Sequence, residues 1–251
     1  MTGDVLARLR SVSKQFGDVV ALDGIDIDIH HGVSTALVGG NGAGKTTLLR
    51  ILAGVYRPSH GTALLGAGDI VDHRRRIGVM TESTGLHVRL TAWENIRFHA
   101  RLFGVEDSVA RRRAEAHAAP LGMLGALDRR TEGFSRGMRQ KTALLRALVH
   151  EPDLLLLDEP TAGLDITSAR AVRSLIEELV AVGRGVIWST HDLGAASVCD
   201  RLVIVHNAKI VADGPLSTLL NESGVDGIEA LHQLLTAEAT REFLEGAGVG
   251  G

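Results

Sequence analysis

With 251 residues of which 45% are hydrophobic, the chain can bury a large core as one domain or as a core carrying an inserted lobe. A formal net charge of −3 gives no overall field for nucleic acid, which is not an expected partner, and the run Arg74-Arg75-Arg76 reads as a solvated surface patch. No apolar stretch approaches the roughly 20 residues that span a bilayer, Met1 to Arg10 lacks the apolar centre of a signal peptide, and the one cysteine, Cys199, cannot form an internal disulfide; a cytoplasmic chain able to dock on a membrane protein is expected.

Residues 5–29 alternate apolar and polar positions, most clearly at Leu22, Ile25, Ile27 and Ile29, with Gly17-Asp18 between two runs, which predicts a hairpin. The apolar run Val33 to Val38 predicts a buried strand, and Lys45 to Ala53 a helix ended by Gly54. Between them stands Gly39-Gly40-Asn41-Gly42-Ala43-Gly44-Lys45-Thr46-Thr47, a glycine-rich phosphate loop in its proper strand–loop–helix setting. Gly39, Gly42 and Gly44 let the backbone curl with its N–H groups inward, and the helix N-terminus adds partial positive charge. Lys45 is placed to reach the β- and γ-phosphates of a nucleoside triphosphate, and Thr46 to offer a hydroxyl to Mg²⁺. The loop alone leaves kinases, GTPases, motors and transporter ATPases open.

Further along, Pro58-Ser59-His60-Gly61 predicts a turn, with short strands at Thr62 to Leu65 and Arg76 to Met80. From Thr91 the period becomes helical: Thr91-Ala92-Trp93-Glu94 spells a capping box, and Trp93, Ile96, Ala100 and Phe103 share a core-facing stripe. Residues 91–149 read as a helical lobe. Its last helix opens at Phe134-Ser135-Arg136-Gly137-Met138-Arg139-Gln140-Lys141, carries Met138, Leu145 and Leu148 on its apolar face, and stops before Pro152. Ser135 and the N–H of Gly137, at a helix N-terminus, make a second anion site.

The strand Leu154 to Leu157 then runs into Asp158 and Glu159. An acid at this place in a phosphate-loop enzyme holds the Mg²⁺ shell, and a carboxylate one residue later is suited to orient and deprotonate a water. Helix Ile166 to Val182, strand Val186 to Ser189, helix Ala195 to Cys199 and strand Leu202 to Val205 complete a β/α alternation, which predicts a mainly parallel sheet covered on both faces. Residues 228–244 form one more amphipathic helix, and Gly246 to Gly251 reads as a frayed tail. The histidines show no metal-site spacing.

The segment Phe134 to Met138 resembles the signature motif of ATP-binding-cassette (ABC) ATPases, usually Leu-Ser-Gly-Gly-Gln, and stands shortly before the Asp158-Glu159 strand as that family requires. Phe134, Arg136 and Met138 depart from the common spelling, while Ser135 and Gly137 keep it. The resemblance runs from about residue 5 to the Asp213-Gly214-Pro215 turn. It implies an α/β fold: a RecA-like phosphate-loop core with an N-terminal antiparallel β subdomain and an inserted helical subdomain. The nucleotide-binding domain would span 1–220, with the helical subdomain at about 91–149, followed by a helical extension and tail over 221–251.

By the same resemblance, ATP and Mg²⁺ are bound, Phe16 stacks on adenine, and Ala162-Gly163-Leu164-Asp165 is the D-loop that crosses a dimer interface. Ser189-Thr190-His191 supplies the switch histidine, which contacts the γ-phosphate and couples it to Glu159. Two cassettes, as a homodimer or a heterodimer, pair head to tail so that Ser135 and Gly137 close over the partner's ATP, and separate transmembrane permease subunits hold them at the cytoplasmic face of the membrane.

Gly40 stands where proline is common. In Ile77-Gly78-Val79-Met80-Thr81-Glu82-Ser83, Glu82 replaces the usual glutamine; a carboxylate can ligate Mg²⁺ but cannot donate a hydrogen bond when ionised, and the alternative is that Glu82 faces solvent. The stretch Thr81 to Leu86, with Phe-Ser-x-Gly-Met, is similar to the ATPase subunits of sodium and drug exporters. A soluble ABC ATPase serving iron–sulfur assembly stays open as an alternative. A kinase or GTPase is disfavoured by the signature segment and by the absence of an Asn-Lys-x-Asp guanine reader.

Overall fold

The computed structural model describes residues 4–246; of the tail expected over Gly246 to Gly251, Gly246 ends a helix and the rest lies outside the described residues. Strands β1 (Val5–Phe16) and β2 (Val19–His30) pair antiparallel, with Phe16 opposite Val19 across the expected turn. β4 (His60–Leu65) and β5 (Gly68–Asp69) extend this sheet in the order β2-β1-β4-β5. Leu22, Ile25, Ile27 and Ile29 are all buried, as their alternation requires. β4 begins at His60, inside the expected turn, and β5 carried no recognisable strand pattern because two residues are too few to show a period.

The second sheet has the order β10-β9-β3-β8-β7-β6. It comprises β3 (Ser34–Val38), β6 (Ile77–Met80), β7 (Leu154–Asp158), β8 (Gly185–Thr190), β9 (Arg201–His206) and β10 (Lys209–Gly214). All neighbours are parallel except β10, which runs antiparallel to β9. Every residue of β3, β7 and β8 is buried, which is why these strands read as continuous apolar runs rather than alternating ones.

One face packs Leu37, Leu154, Leu156 and Ile187 against helix α1 (Lys45–Leu52) and the first sheet. The other packs Leu155, Leu157, Val186 and Trp188 against α4 (Arg136–Leu148) and α5 (Ile166–Ala181). A third cluster joins Ala36, Val38, Leu202 and Ile204 to Ile228 and Leu231 of α8 (Ile228–Gly246), with α7 (Leu216–Ser223) beside it.

Because β6 and β7 are adjacent and parallel, the lobe between them is one long crossover. Its helices α2 (Ala92–Leu102) and α3 (Asp107–Ala118) meet α4 through Ala92, Ile96, Ala100, Ala110, Ala114 and Ala118, all buried. The capping box forms: Glu94 N–H donates to Thr91 Oγ1 at 3.0 Å and Thr91 N–H to Glu94 Oε2 at 2.8 Å. Phe103 lies just beyond α2 and stacks on His150 with ring centroids 3.9 Å apart.

One expectation is corrected. α6 (Leu193–Ala196) is shorter than expected and leaves Cys199 outside it; Trp188 Nε1–H donates to Cys199 Sγ at 2.9 Å, and burial pushes the thiol up to about 11. The Arg74–Arg76 run lies at the surface, with Arg74 and Arg75 exposed, and Arg76 pairs there with Asp153 at 2.6 Å while Arg184 meets the same carboxylate at 3.0 Å. The sequence carries no clear pattern for β10 or α7: β10 has one buried residue and is short, and α7 has no fully buried residue.

His99 of α2 is held down to about 4, first by burial and then by the nearby Arg146 and His150. Burial also lowers His150, whose Nε2 lies 3.1 Å from Ile77 O, and His117. The unfolded chain takes up protons near the ordinary value of about 6.5 while the folded chain does not, so the unfolded state binds more protons in this window. Stability is therefore full above about 6.5 and falls as pH drops toward 4. Thermal melts should show a falling midpoint from pH 7.5 to pH 5, and His99→Leu should flatten that slope; identical slopes would remove His99 as a contributor.

Candidate nucleotide site

The phosphate loop leaves the buried end of β3 where only glycine fits. A Cβ on Gly39 would lie 2.2 Å from Val205 O, and one on Gly44, at φ 115°, 2.6 Å from Ala21 O. Gly40, by contrast, faces open space, so its exchange for the common proline disturbs no contact. Lys45 Nζ donates to Gly39 O at 2.7 Å and Gly40 O at 3.0 Å, which lays the ammonium along the loop. A further brace comes from the β9–β10 turn: Ala208 N–H donates to Ala43 O at 3.2 Å, and Asp23 N–H to Ala208 O at 2.8 Å.

Parallel pairing puts Asp158 of β7 opposite Ser189 of β8. The buried Ser189 hydroxyl donates to Asp158 Oδ1 at 2.6 Å and accepts Glu159 N–H at 3.0 Å. Thr46 Oγ1 reaches the other oxygen of Asp158 at 3.3 Å. Glu159 sits at φ 53°, in the left-handed region that costs a non-glycine residue about 1–2 kcal/mol. That turn carries its carboxylate to His191, whose Nδ1 is 2.9 Å from Glu159 Oε1. Gln140 Nε2 donates to Glu159 O at 3.3 Å and so fastens α4 to the same turn.

These groups border a cleft of about 510 Å³. From the expected set it gathers Gly40, Asn41, Gly42, Gly44, Lys45, Thr46 and Thr47 on the loop side. Glu82, Asp158, Glu159 and His191 face them. Gly39 and Ala43 lie buried behind the loop.

Four further expected residues stay out of the lining. Phe16 is 43% exposed and meets Tyr56 edge-on at 5.4 Å, while Val19, Val20 and Ala21 border the cleft instead. Ser135 caps α4, accepting Met138 N–H at 3.2 Å, and Gly137 packs beneath Leu164. Asp165 caps α5 by accepting Ser168 N–H at 2.9 Å and Oγ–H at 2.8 Å, contacts that hold its carboxyl below the usual range.

Three residues at the site carried no sequence assignment. Ser189 and Gln140 are buried polar residues bonded at the turn of Glu159, and Arg136 lines the cleft. Among the described residues no three His, Cys, Asp or Glu side chains converge on a metal position. One hydroxyl and one carboxylate do converge, with Glu82 on the rim. That sparse, all-oxygen set fits Mg²⁺, which takes one or two protein ligands and completes its shell with phosphate oxygens and water.

The model for the family of ABC transporters matches residues 22–162. The chain belongs to that family. It is 37% identical to the ABC transporter ATP-binding protein NatA of Bacillus subtilis, over 84% of this chain and 90% of that one. It is 33% identical to the Nod factor export ATP-binding protein I of Cupriavidus pinatubonensis (89% and 71% covered) and 35% to the cobalt import ATP-binding protein CbiO of Rhodobacter capsulatus (82% and 77%). A solved ATP-binding subunit of an ABC transporter superposes with a TM-score of 0.86 at 29% identity, covering 92% of this chain and 99% of the other. The chain is thus an ATP-binding ABC ATPase with the RecA-like core, antiparallel β subdomain and inserted helices of that fold.

Ser189→Ala would leave the buried Asp158 carboxylate short of a donor, a loss of about 1–3 kcal/mol. Urea unfolding at pH 7 should show a destabilisation of that size; a change below about 0.5 kcal/mol would mean the hydroxyl is not needed to hold Asp158.

Proposed function

We propose that this ABC ATPase is the energy-supplying subunit of a multi-subunit exporter, acting as a dimer on separate transmembrane permease subunits at the cytoplasmic face of the membrane. The observation that carries the reading is the division of the site. Lys45, Thr46, Asp158, Glu159 and His191 border one cleft, whereas Ser135 and Gly137, at the N-terminus of α4, lie outside it. A second anion-binding half-site that does not border its own chain's cleft suits a neighbouring cassette, whether a second copy or a different chain.

In this reading residues 1–220 form the nucleotide-binding unit, with the lobe at about 91–149, and 221–251 an extension. The loop amides and Lys45 neutralise phosphate charge. Thr46 and Asp158, with Glu82 at the rim, hold Mg²⁺, which when bound stabilises charge on the phosphoryl oxygens. Glu159 orients a water and accepts its proton, aligned by the 2.9 Å contact to His191, and His191 contacts the γ-phosphate. Phe16 supplies an exposed ring face for the adenine, and Asp165 fixes the start of α5 beside the partner.

Among the described residues no helix is long and apolar enough to cross a membrane, which fits a subunit that drives transport through other chains. Export is supported by the Thr81–Leu86 and Phe-Ser-x-Gly-Met spellings and by the likeness to the Nod factor protein; the likeness to CbiO shows that family membership alone is neutral on direction.

Glu159→Gln should keep ATP affinity, lose at least about 100-fold in turnover, and accumulate an ATP-dependent dimer by light scattering. Turnover at the wild-type rate would remove Glu159 as the base. Lys45→Ala should abolish ATP binding in calorimetry. Co-purification from membranes should bring a multi-span protein; a soluble scaffold in its place would favour the assembly-type alternative.

A further inference from the structure

Residues 81–90, between β6 and α2, bring Glu82 to the cleft and form neither helix nor strand. A segment without a ladder has to bond its backbone groups elsewhere, and side chains of the helical lobe take them up. Asn95 of α2, which is buried, accepts His87 N–H at 2.8 Å and donates to His87 O at 3.2 Å. Thr131, also buried, donates its hydroxyl to His87 O at 3.2 Å. Arg146, in the last turn of α4, donates through Nη2 to Thr84 O at 2.8 Å and through Nη1 to Gly85 O at 3.0 Å. Of the three, Arg146 holds the residues nearest to Glu82 in the chain.

Arg146 is half-buried, and burial lowers it from its ordinary value with no acid beside it to offset the effect. Taking a guanidinium out of water without a carboxylate partner is unfavourable. What offsets it here is the fork, two nitrogens of one plane meeting two successive carbonyls. The same helix also reaches the turn of the other carboxylate, where Gln140 Nε2 donates to Glu159 O at 3.3 Å. α4 thus holds the backbone beside Glu159 through Gln140 and the backbone beside Glu82 through Arg146.

We propose that Arg146 is a positioning residue for Glu82. By clamping Thr84 and Gly85 to α4 it fixes how the Glu82 carboxylate approaches the cleft, and so how it meets the Mg²⁺ of a bound nucleotide, while touching neither ion nor nucleotide itself. This role rests on the reading of Glu82 as an Mg²⁺ ligand.

Two measurements on the full chain test it. Limited digestion with a glutamate-specific protease should cut after Glu82 about ten-fold faster in Arg146→Met than in the wild type, with cutting after the exposed Glu132 unchanged as internal reference. The Mg²⁺ concentration for half-maximal ATP hydrolysis should rise about ten-fold in Arg146→Met and in Glu82→Ala, and no further in the double variant, since the two residues act in one line. Arg146→Lys keeps the cation but can hold only one carbonyl, and should fall between. Unchanged cutting after Glu82 in both Arg146 variants overturns the clamp. A wild-type Mg²⁺ requirement in Arg146→Met when Glu82→Ala needs more, or a double variant in which the two shifts multiply, overturns the route through Glu82. If Glu82→Ala, with Arg146 intact, leaves the requirement unchanged, Glu82 is no ligand and the positioning role falls with that reading.

Discussion

Parallel pairing of β3, β8 and β7 is the constraint from which the site follows. Parallel strands end together, and the ladder sets Val38 beside Thr190 and Asp158 beside Ser189. The phosphate loop, the Asp158-Glu159 pair and His191 are distant in sequence, yet each leaves the sheet at one edge. Ligand sites in open α/β sheets form at such carboxyl-end crevices. The burial of these strands on both faces keeps that edge from shifting, because a slip of one residue would send every side chain into the opposite core, where the packing is made for another shape.

At that edge one hydroxyl does the work of alignment. Ser189 spans Asp158 and the backbone of Glu159, so the carboxylate expected to hold an ion and the one expected to face a water are fixed relative to each other before any ligand arrives. The positive φ of Glu159 is tolerated because Ser189 and Gln140 hold its N–H and C=O. Strain of this kind persists only where neighbours over-determine the backbone.

Much of this could be read from residue order. The phosphate loop, the acidic end of β7 and the position of His191 are local patterns, and a local pattern survives without coordinates. The roles of Ser189 and Gln140 could not be read, since each depends on a register or a helix contact between segments 19 to 31 residues apart. In the sequence Arg136 is a spelling variant, and only the fold lays its side chain along Gly163. α7 leaves no pattern because no residue in it is fully buried, and β5 none because two residues show no period. Phe16 shows the opposite: its place at the end of the first strand was legible, but only the packing shows it against Tyr56 beside a cleft bordered by Val19 and Val20.

The contact of Ala208 with Ala43 means that chain order and mechanical order differ. Residues 207 and 208 follow every motif of the site, yet they brace the loop that comes first. A chain cut after His206 would keep each motif and lose the strut beneath its phosphate cradle. The C-terminal helices, packed on the strands that carry this strut, are thereby joined to the nucleotide loop by backbone rather than by side-chain contact.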